Sequence, residues 1–203
     1  MPVRNRKDLA QSLKQGTIEP IYFLFGPESY LRDQAANAIA EEALRGTLLR
    51  EFNYSVYSLK EGDARAAIAA AEQLPMMSPR RVVRIHDLGK VDEKSEEILL
   101  SYIDRPVETS VLIFAGDDLD KRKKLAKKLM SQAAFEFAPL NNAELAAWAR
   151  SRVRELKSEI ASPVLNRIIE LVGADVRTLS HELDKLSTAA LPSAKITAEL
   201  VEE

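Results

Sequence analysis

Cysteine is absent from the 203-residue chain, which excludes disulfides, thiolate catalysis and cysteine-based zinc sites and is consistent with the cytoplasm. Histidine is scarce. His86 and His181 stand alone, with no His-x-x-x-His or similar ligand spacing around them. No charge of one sign dominates: 29 basic against 31 acidic residues leave a formal charge of -2, so the chain as a whole is not a nucleic-acid or membrane binder. No apolar run approaches the roughly 18 residues of a membrane span. The opening Met1-Pro-Val-Arg-Asn-Arg-Lys7 lacks the apolar core of a signal peptide. A Gly-x-Ser-x-Gly elbow, an internal repeat and a low-complexity segment are also missing, and nothing pairs a nucleophile with a base. What remains is a globular chain, 46% apolar, long enough for one large or two small domains and without a catalytic constellation or a cofactor motif.

One stretch has the form of a nucleotide-binding strand–loop–helix. Ile21 to Phe25 predict a buried strand, Gly26-Pro27 a turn, and Leu31, Ala35, Ala38 and Ile39 one face of a following helix. A working phosphate loop reads Gly-x-x-x-x-Gly-Lys-Ser/Thr. Its backbone N–H groups cradle phosphates, its lysine reaches the β/γ-phosphates and its hydroxyl holds magnesium. Counted from Gly26, the second glycine falls at Leu31, the lysine at Arg32 and the hydroxyl at Asp33. Leu31 fills space that phosphates need, and Asp33 repels them. The acidic pair expected after the third strand is broken too: Asp87 reads as a magnesium-side carboxylate, a strand-end residue or a helix cap, but Leu88 stands where the second acid belongs. The pattern is an ATPase-type fold that does not use ATP. A weak or atypical ATPase is the alternative.

Strand candidates at Ile21–Phe25, Phe52–Tyr57, Arg81–Ile85, Val111–Ala115 and Phe135–Phe137 alternate with helical patterns. Asp63 caps a helix carrying Ile68, Ala71 and Leu74; a second helix carries Leu99, Tyr102 and Ile103, and a third Leu125 and Leu129. Repeated βα units predict an α/β domain over 1–139, with a largely parallel five-stranded sheet covered on both faces. From 140 to 203 only helices are predicted. Asn141 and Glu144 form a capping box for a helix with Leu145, Trp148, Ala149, Val153 and Leu156 inward. Ser162-Pro163 is an N-cap and N1 proline for a helix through Leu165, Ile168, Ile169 and Val172, stopped by Gly173. Asp175 starts a third helix with Val176, Leu179, Leu183 and Leu186 inward, and Ile196-Thr197 begins a fourth, cut off at Glu203.

Two segments suggest contacts. Leu74-Pro75-Met76-Met77-Ser78-Pro79 places adjacent methionines in a proline-bounded turn before Arg80-Arg81. Helical or strand periodicity does not send both into one core, and methionine suits adaptable binding surfaces. The plain reading is that one packs inward while the other closes the helix end. The run from Asp117 to Leu129 places acids first and bases after, as a helix dipole favours. Lys121, Arg122, Lys124 and Lys128 lie outside, forming a solvated face or a contact to DNA or an acidic partner, as in a DNA-binding regulator.

Taken together, five pieces in order resemble the delta subunit of bacterial DNA polymerase III, the clamp-loader subunit that opens the sliding clamp. They are Pro20 to Leu31, Leu74 to Val83, Leu119 to Leu125, Leu140 to Trp148 and Gly173 to Leu186, with Ile196-Thr197 behind them. The resemblance implies an AAA+-like module with an inactive nucleotide site, a small three-helix lid, and a C-terminal collar domain, absent here, that joins the other loader subunits. It implies primed DNA in the full assembly, no membrane, and ATP hydrolysis in partner subunits. It also implies that an exposed apolar pair at a helix end enters a hydrophobic pocket on the clamp. Met76 and Met77 match that pair, flanked by Leu74, Pro75 and Ser78. The second position is often phenylalanine in the family, so Met77 keeps bulk and loses an aromatic anchor.

Overall fold

In the computed structural model, the apolar runs of the first half form one sheet, because residues apolar on both faces of a strand need cover on both sides. The structure describes residues 3–61, 64–117 and 120–202. Helix α1 spans Arg6–Lys14. Strands and helices then alternate: β1 Ile21–Phe25, α2 Ser29–Ala43, β2 Tyr54–Ser58, α3 Ala64–Glu72, β3 Arg81–His86, α4 Glu93–Asp104, β4 Ser110–Gly116, α5 Lys124–Met130 and β5 Ala133–Glu136. The five-stranded sheet has the order β2-β3-β4-β1-β5, and every neighbouring pair is parallel. The central strands β1 and β4 are buried throughout, while edge strand β2 is half-buried.

Strand alternation sorts the side chains. Ile21, Phe23 and Phe25 join Val83, Ile85, Leu112 and Phe114 in a core closed by Ile68 of α3, Leu99 and Ile103 of α4 and Leu125 and Leu129 of α5. Tyr22 and Leu24 take the other face, where α2 packs on β1, β3 and β4 and α1 packs on α2 and β5. A parallel sheet sends all strand exits to one edge and all entries to the other. The loop after β1, Asp87 after β3 and Asp117 after β4 therefore share the carboxyl edge. The segment before β3 and the 3-10 turn Arg50–Phe52 before β2 share the amino edge. Strands of this length hold the two edges ~17–20 Å apart.

Residues Met1–Ala138 and Pro139–Glu203 are separate compact units. The second contains α6 Asn142–Glu155, β6 Glu159–Ile160, α7 Ser162–Val172, α8 Val176–Ala189, β7 Lys195–Ile196 and α9 Ala198–Glu202. Leu145, Val153, Leu165, Ile168, Leu179 and Leu183 are buried. Arg152 bonds both oxygens of Asp184 at 2.9 and 3.2 Å, tying α6 to α8. The capping box is present: Asn141 Oδ1 accepts the Glu144 N–H and Glu144 accepts the Asn141 N–H, both at 3.0 Å.

Several boundaries differ from the sequence expectations, each for a local reason. The second strand begins at Tyr54 rather than Phe52, because the Asn53 N–H closes a turn onto the Arg50 carbonyl at 2.9 Å. The last strand is Ala133–Glu136, and Phe137 instead donates its N–H to the Phe25 carbonyl at 2.7 Å. On α2, Ala36 is buried and Ala38 is exposed. Helix α3 stops at Glu72, so Leu74 lies past its end and is exposed. Helix α5 begins at Lys124, and its first turn carries no acid. Only the basic half of the dipole-matched order is therefore present, with Lys127 and Lys128 in the last turn, and Lys121 and Arg122 precede the helix. Ala161 takes the N-cap position of α7, one residue before Ser162. Ile196 pairs with Ile160 in a short parallel ladder before α9 begins. The cap expected from Asp63 lies outside the described residues. Helix α1 was not anticipated from periodicity, since Leu9 is its one buried residue; its signal was the capping box of Asn5 and Asp8.

Candidate functional site

The nucleotide-type loop after β1 is closed by its own protein. Gly26 sits at φ +115, and a Cβ there would lie 2.5 Å from the Phe137 carbonyl oxygen, so the position needs glycine. Its N–H donates to the Asp117 carbonyl at 2.9 Å, and the Glu28 N–H donates to the Phe137 carbonyl at 3.0 Å. Backbone donors of the kind that cradle phosphate are already spent on protein oxygens. The sequence pointed to Leu31 as the obstruction. In the structure Leu31 is buried on the inner side of α2, and the Arg32 guanidinium closes the loop. It donates to the Gly26 carbonyl, to the Gly116 carbonyl at 3.0 Å and to Asp117 Oδ1 at 2.5 Å.

An open cleft of about 700 Å³ lies beside this loop at the carboxyl edge of β3 and β4. Its lining is charge-matched: Arg32 pairs with Asp117, Arg84 with Asp33, and Lys60 with Asp87. A polyphosphate entering it meets cations that already have carboxylates. Asp87 is a strand-end residue at φ 62 and makes no side-chain cap bond. Its carboxylate accepts from Ser58 Oγ at 2.7 Å, from Lys60 Nζ at 3.0 Å and shares a contact with His86 Nδ1 at 2.7 Å. The Ser58 hydroxyl first, then Lys60, hold its pKa down to about 2. Leu88 is core, packed under Gly116, where a Cβ would meet its Cδ1 at 3.2 Å. His181 is exposed on α8. Among the described residues no group of His, Asp and Glu converges for a metal, and no helix is long and apolar enough to cross a membrane.

The methionine turn lies on the opposite edge of the sheet, between α3 and β3. Leu74 is 81% exposed, Met76 48% and Met77 84%. Met77 adopts φ 48, a left-handed conformation that an unbranched L-residue enters at a cost. Pro75 is half-buried. Ser78 Oγ donates to the Arg80 carbonyl at 2.8 Å and stands 2.8 Å from Thr47 Oγ1. A hydroxyl has one proton, so Thr47 is the donor in that second bond. The reading in which one methionine is core therefore does not describe this turn: both side chains reach solvent.

The basic run is less concentrated than its sequence. Lys121, Arg122 and Lys124 are exposed, but Arg122 is bound by Asp120 at 2.9 Å from Nε and from Nη2. Lys128 pairs with Asp104.

Comparison with known proteins accords with this geometry. The family model described as "DNA polymerase III, delta subunit" matches residues 22–137. The chain belongs to the DNA polymerase III delta subunit family. A curated relative, DNA polymerase III subunit delta of Bacillus subtilis, is 30% identical over 192 residues, covering 89% of this chain and 55% of the relative. The chain thus spans little more than half of that relative's length. The solved Bacillus subtilis DNA clamp loader delta protein superposes with a TM-score of 0.72 at 29% identity, over 97% of this chain and 61% of that one. The RuvB Holliday junction branch migration motor of Thermotoga maritima has a TM-score of 0.54 at 18% identity, over 97% of this chain and 66% of its own, and speaks to fold alone. The delta-family chain thus has an AAA+-like α/β fold.

Sequence reading missed what surrounds the methionines in this family member. Leu48 and Phe52 are exposed apolar residues on the segment that leads into β2. Asn53, at the end of that segment, is fully buried. An isolated Asn after Phe52 carries no sequence signal of burial, because its carboxamide bonds the backbone of Met76, 23 residues on, as well as that of Leu49.

Proposed function

We propose that this chain is the part of a clamp-loader delta subunit that docks on the DNA polymerase III sliding clamp and promotes its opening. The observation that carries the reading is the turn itself: Met76 and Met77 are exposed, adjacent and held by bonded neighbours, with Met77 in a strained backbone conformation. Exposed apolar side chains on a stiff support lose little entropy when a pocket takes them in. Leu74, Pro75 and Ser78 frame the pair.

In this reading the chain is a binding module without catalysis of its own. A clamp whose interface is sprung binds the turn and its surroundings better than a closed one, so binding shifts the clamp toward the open state. The closed loop at Gly26, Arg32 and Asp33 fits a subunit in which ATP acts elsewhere, in partner subunits that expose or hide this surface. Primed DNA and the other loader subunits are partners of the full assembly. The test is capture of the cognate sliding clamp by this chain and by a Met76→Ser/Met77→Ser variant. Retention by the parent and loss by the variant, which still folds and melts cooperatively close to the parent, is the expected result; equal retention by both removes the reading.

A further inference from the structure

The turn that carries the methionines is held from outside by one buried carboxamide. Asn53 Oδ1 accepts the Met76 N–H at 2.7 Å, and its Nδ2 donates to the Met76 carbonyl and to the Leu49 carbonyl, both at 2.8 Å. Its own N–H goes to the Arg50 carbonyl at 2.9 Å, and its carbonyl accepts the Val82 N–H at 2.8 Å. Both amide hydrogens and the amide oxygen are therefore used, and the backbone of the same residue is fixed to the turn before β2 and to β3 itself. Burial of a carboxamide is unfavourable unless it is fully bonded. An apolar residue would fill the space without that demand but would leave the Met76 N–H and carbonyl unfixed. The second tie is the Thr47 to Ser78 hydroxyl bond at 2.8 Å. Together the two ties grip the turn on either side of Met77, whose φ of 48 would otherwise relax.

We infer that Asn53, seconded by Thr47, is the positioning residue of the clamp-docking turn: it holds the Met76 backbone so that both methionines are presented before the clamp arrives. This rests on the docking reading above and adds the residue that makes it efficient. Asn53 is fully buried, so it acts through Met76 and Met77 rather than by direct contact with the clamp.

The test is binding of this chain to the cognate sliding clamp, with Asn53→Ala, Thr47→Val, Met77→Ala and the Asn53→Ala/Met77→Ala pair. Asn53→Ala weakens binding about ten-fold, the cost of ordering two methionines and their turn at the moment of docking. Thr47→Val weakens it about two- to five-fold by loosening one tie. The combined Asn53→Ala/Met77→Ala loss falls short of the product of the single losses, because part of the Asn53 effect is exerted through Met77. Amide exchange at Met76 quickens in Asn53→Ala while amides of β1 and β4 keep their protection. If Asn53→Ala does not fold, Thr47→Val decides: weaker binding at unchanged melting supports the inference, and parental binding overturns it. Single losses that multiply fully in the pair also overturn it. Parental affinity in both Asn53→Ala and Thr47→Val, with Met77→Ala weakened, removes this inference and leaves the docking reading standing. Parental affinity in the Met76→Ser/Met77→Ser chain removes both.

Discussion

Truncating the exposed methionines should separate binding from stability. Full burial of one such side chain contributes roughly 1.5–3 kcal/mol. Met77 has 84% of its surface still in water and Met76 48%, so nearly all of the first side chain and about half of the second remain to be buried by a partner. Alanine keeps the first carbon, so Met77→Ala should cost ~1–2 kcal/mol of clamp affinity, or about five- to thirty-fold, and Met76→Ala about half that free energy. Folding stability should move by no more than ~0.5 kcal/mol in Met77→Ala, whose side chain has little packing to lose, and by about 1 kcal/mol in Met76→Ala, about half of whose surface is already packed. A buried methionine behaves in the opposite way, with ~2–5 kcal/mol of folding stability lost on truncation. Met77→Gly sharpens the contrast. Glycine relieves the left-handed backbone, so melting should hold or rise while clamp affinity falls at least as far as in Met77→Ala. Calorimetric titration with the clamp and thermal unfolding of the same samples read both quantities. Alanine variants that melt much earlier yet bind at parental strength would show that the methionines are structural and that the docking surface lies elsewhere.

A thermal-shift titration with Mg-ATP should show no saturable stabilisation, since a ligand of the folded state must raise its stability; saturation in the micromolar range would overturn the reading of the Arg32-filled loop. Gly26→Ala should lower stability by about 2–4 kcal/mol in denaturant unfolding, from the clash with Phe137 and the positive φ together, and a loss under about 1 kcal/mol would mean that the loop yields freely. Asp87 should titrate near pH 2, and Ser58→Ala should raise its pKa toward the ordinary 3.8, as read by NMR of the carboxyl carbon. Because the folded pKa lies below the unfolded one, the stability that Asp87 contributes is present above about pH 4 and fades as pH falls through about 2; an unchanged pKa in Ser58→Ala would contradict the hydroxyl as its main cause.

Local chemistry in the sequence determined a good deal of this protein. Ile21–Phe25 reads as a buried strand, because five consecutive apolar residues have no polar face to give to water and the Gly26-Pro27 turn ends the run too soon for a helix. Asn141 and Glu144 announced the start of α6, and Gly173 the end of α7, because caps are written within a few residues of the elements they close. The failed phosphate loop and the odd pair Met76-Met77 were legible for the same reason: both are short-range patterns. Sheet order is different. That β1 lies between β4 and β5, and β3 between β2 and β4, is set by long-range pairing that no local window contains. The role of Arg32 is also tertiary, since two of its three partners, Gly116 and Asp117, lie at the end of another strand. Met77 reaches water because α3 stops at Glu72 and Asn53 holds the following backbone from across the sheet edge. Only the folded chain brings residue 53 to residue 76, and with it the difference between a methionine pair that closes a helix and one that stands exposed to solvent.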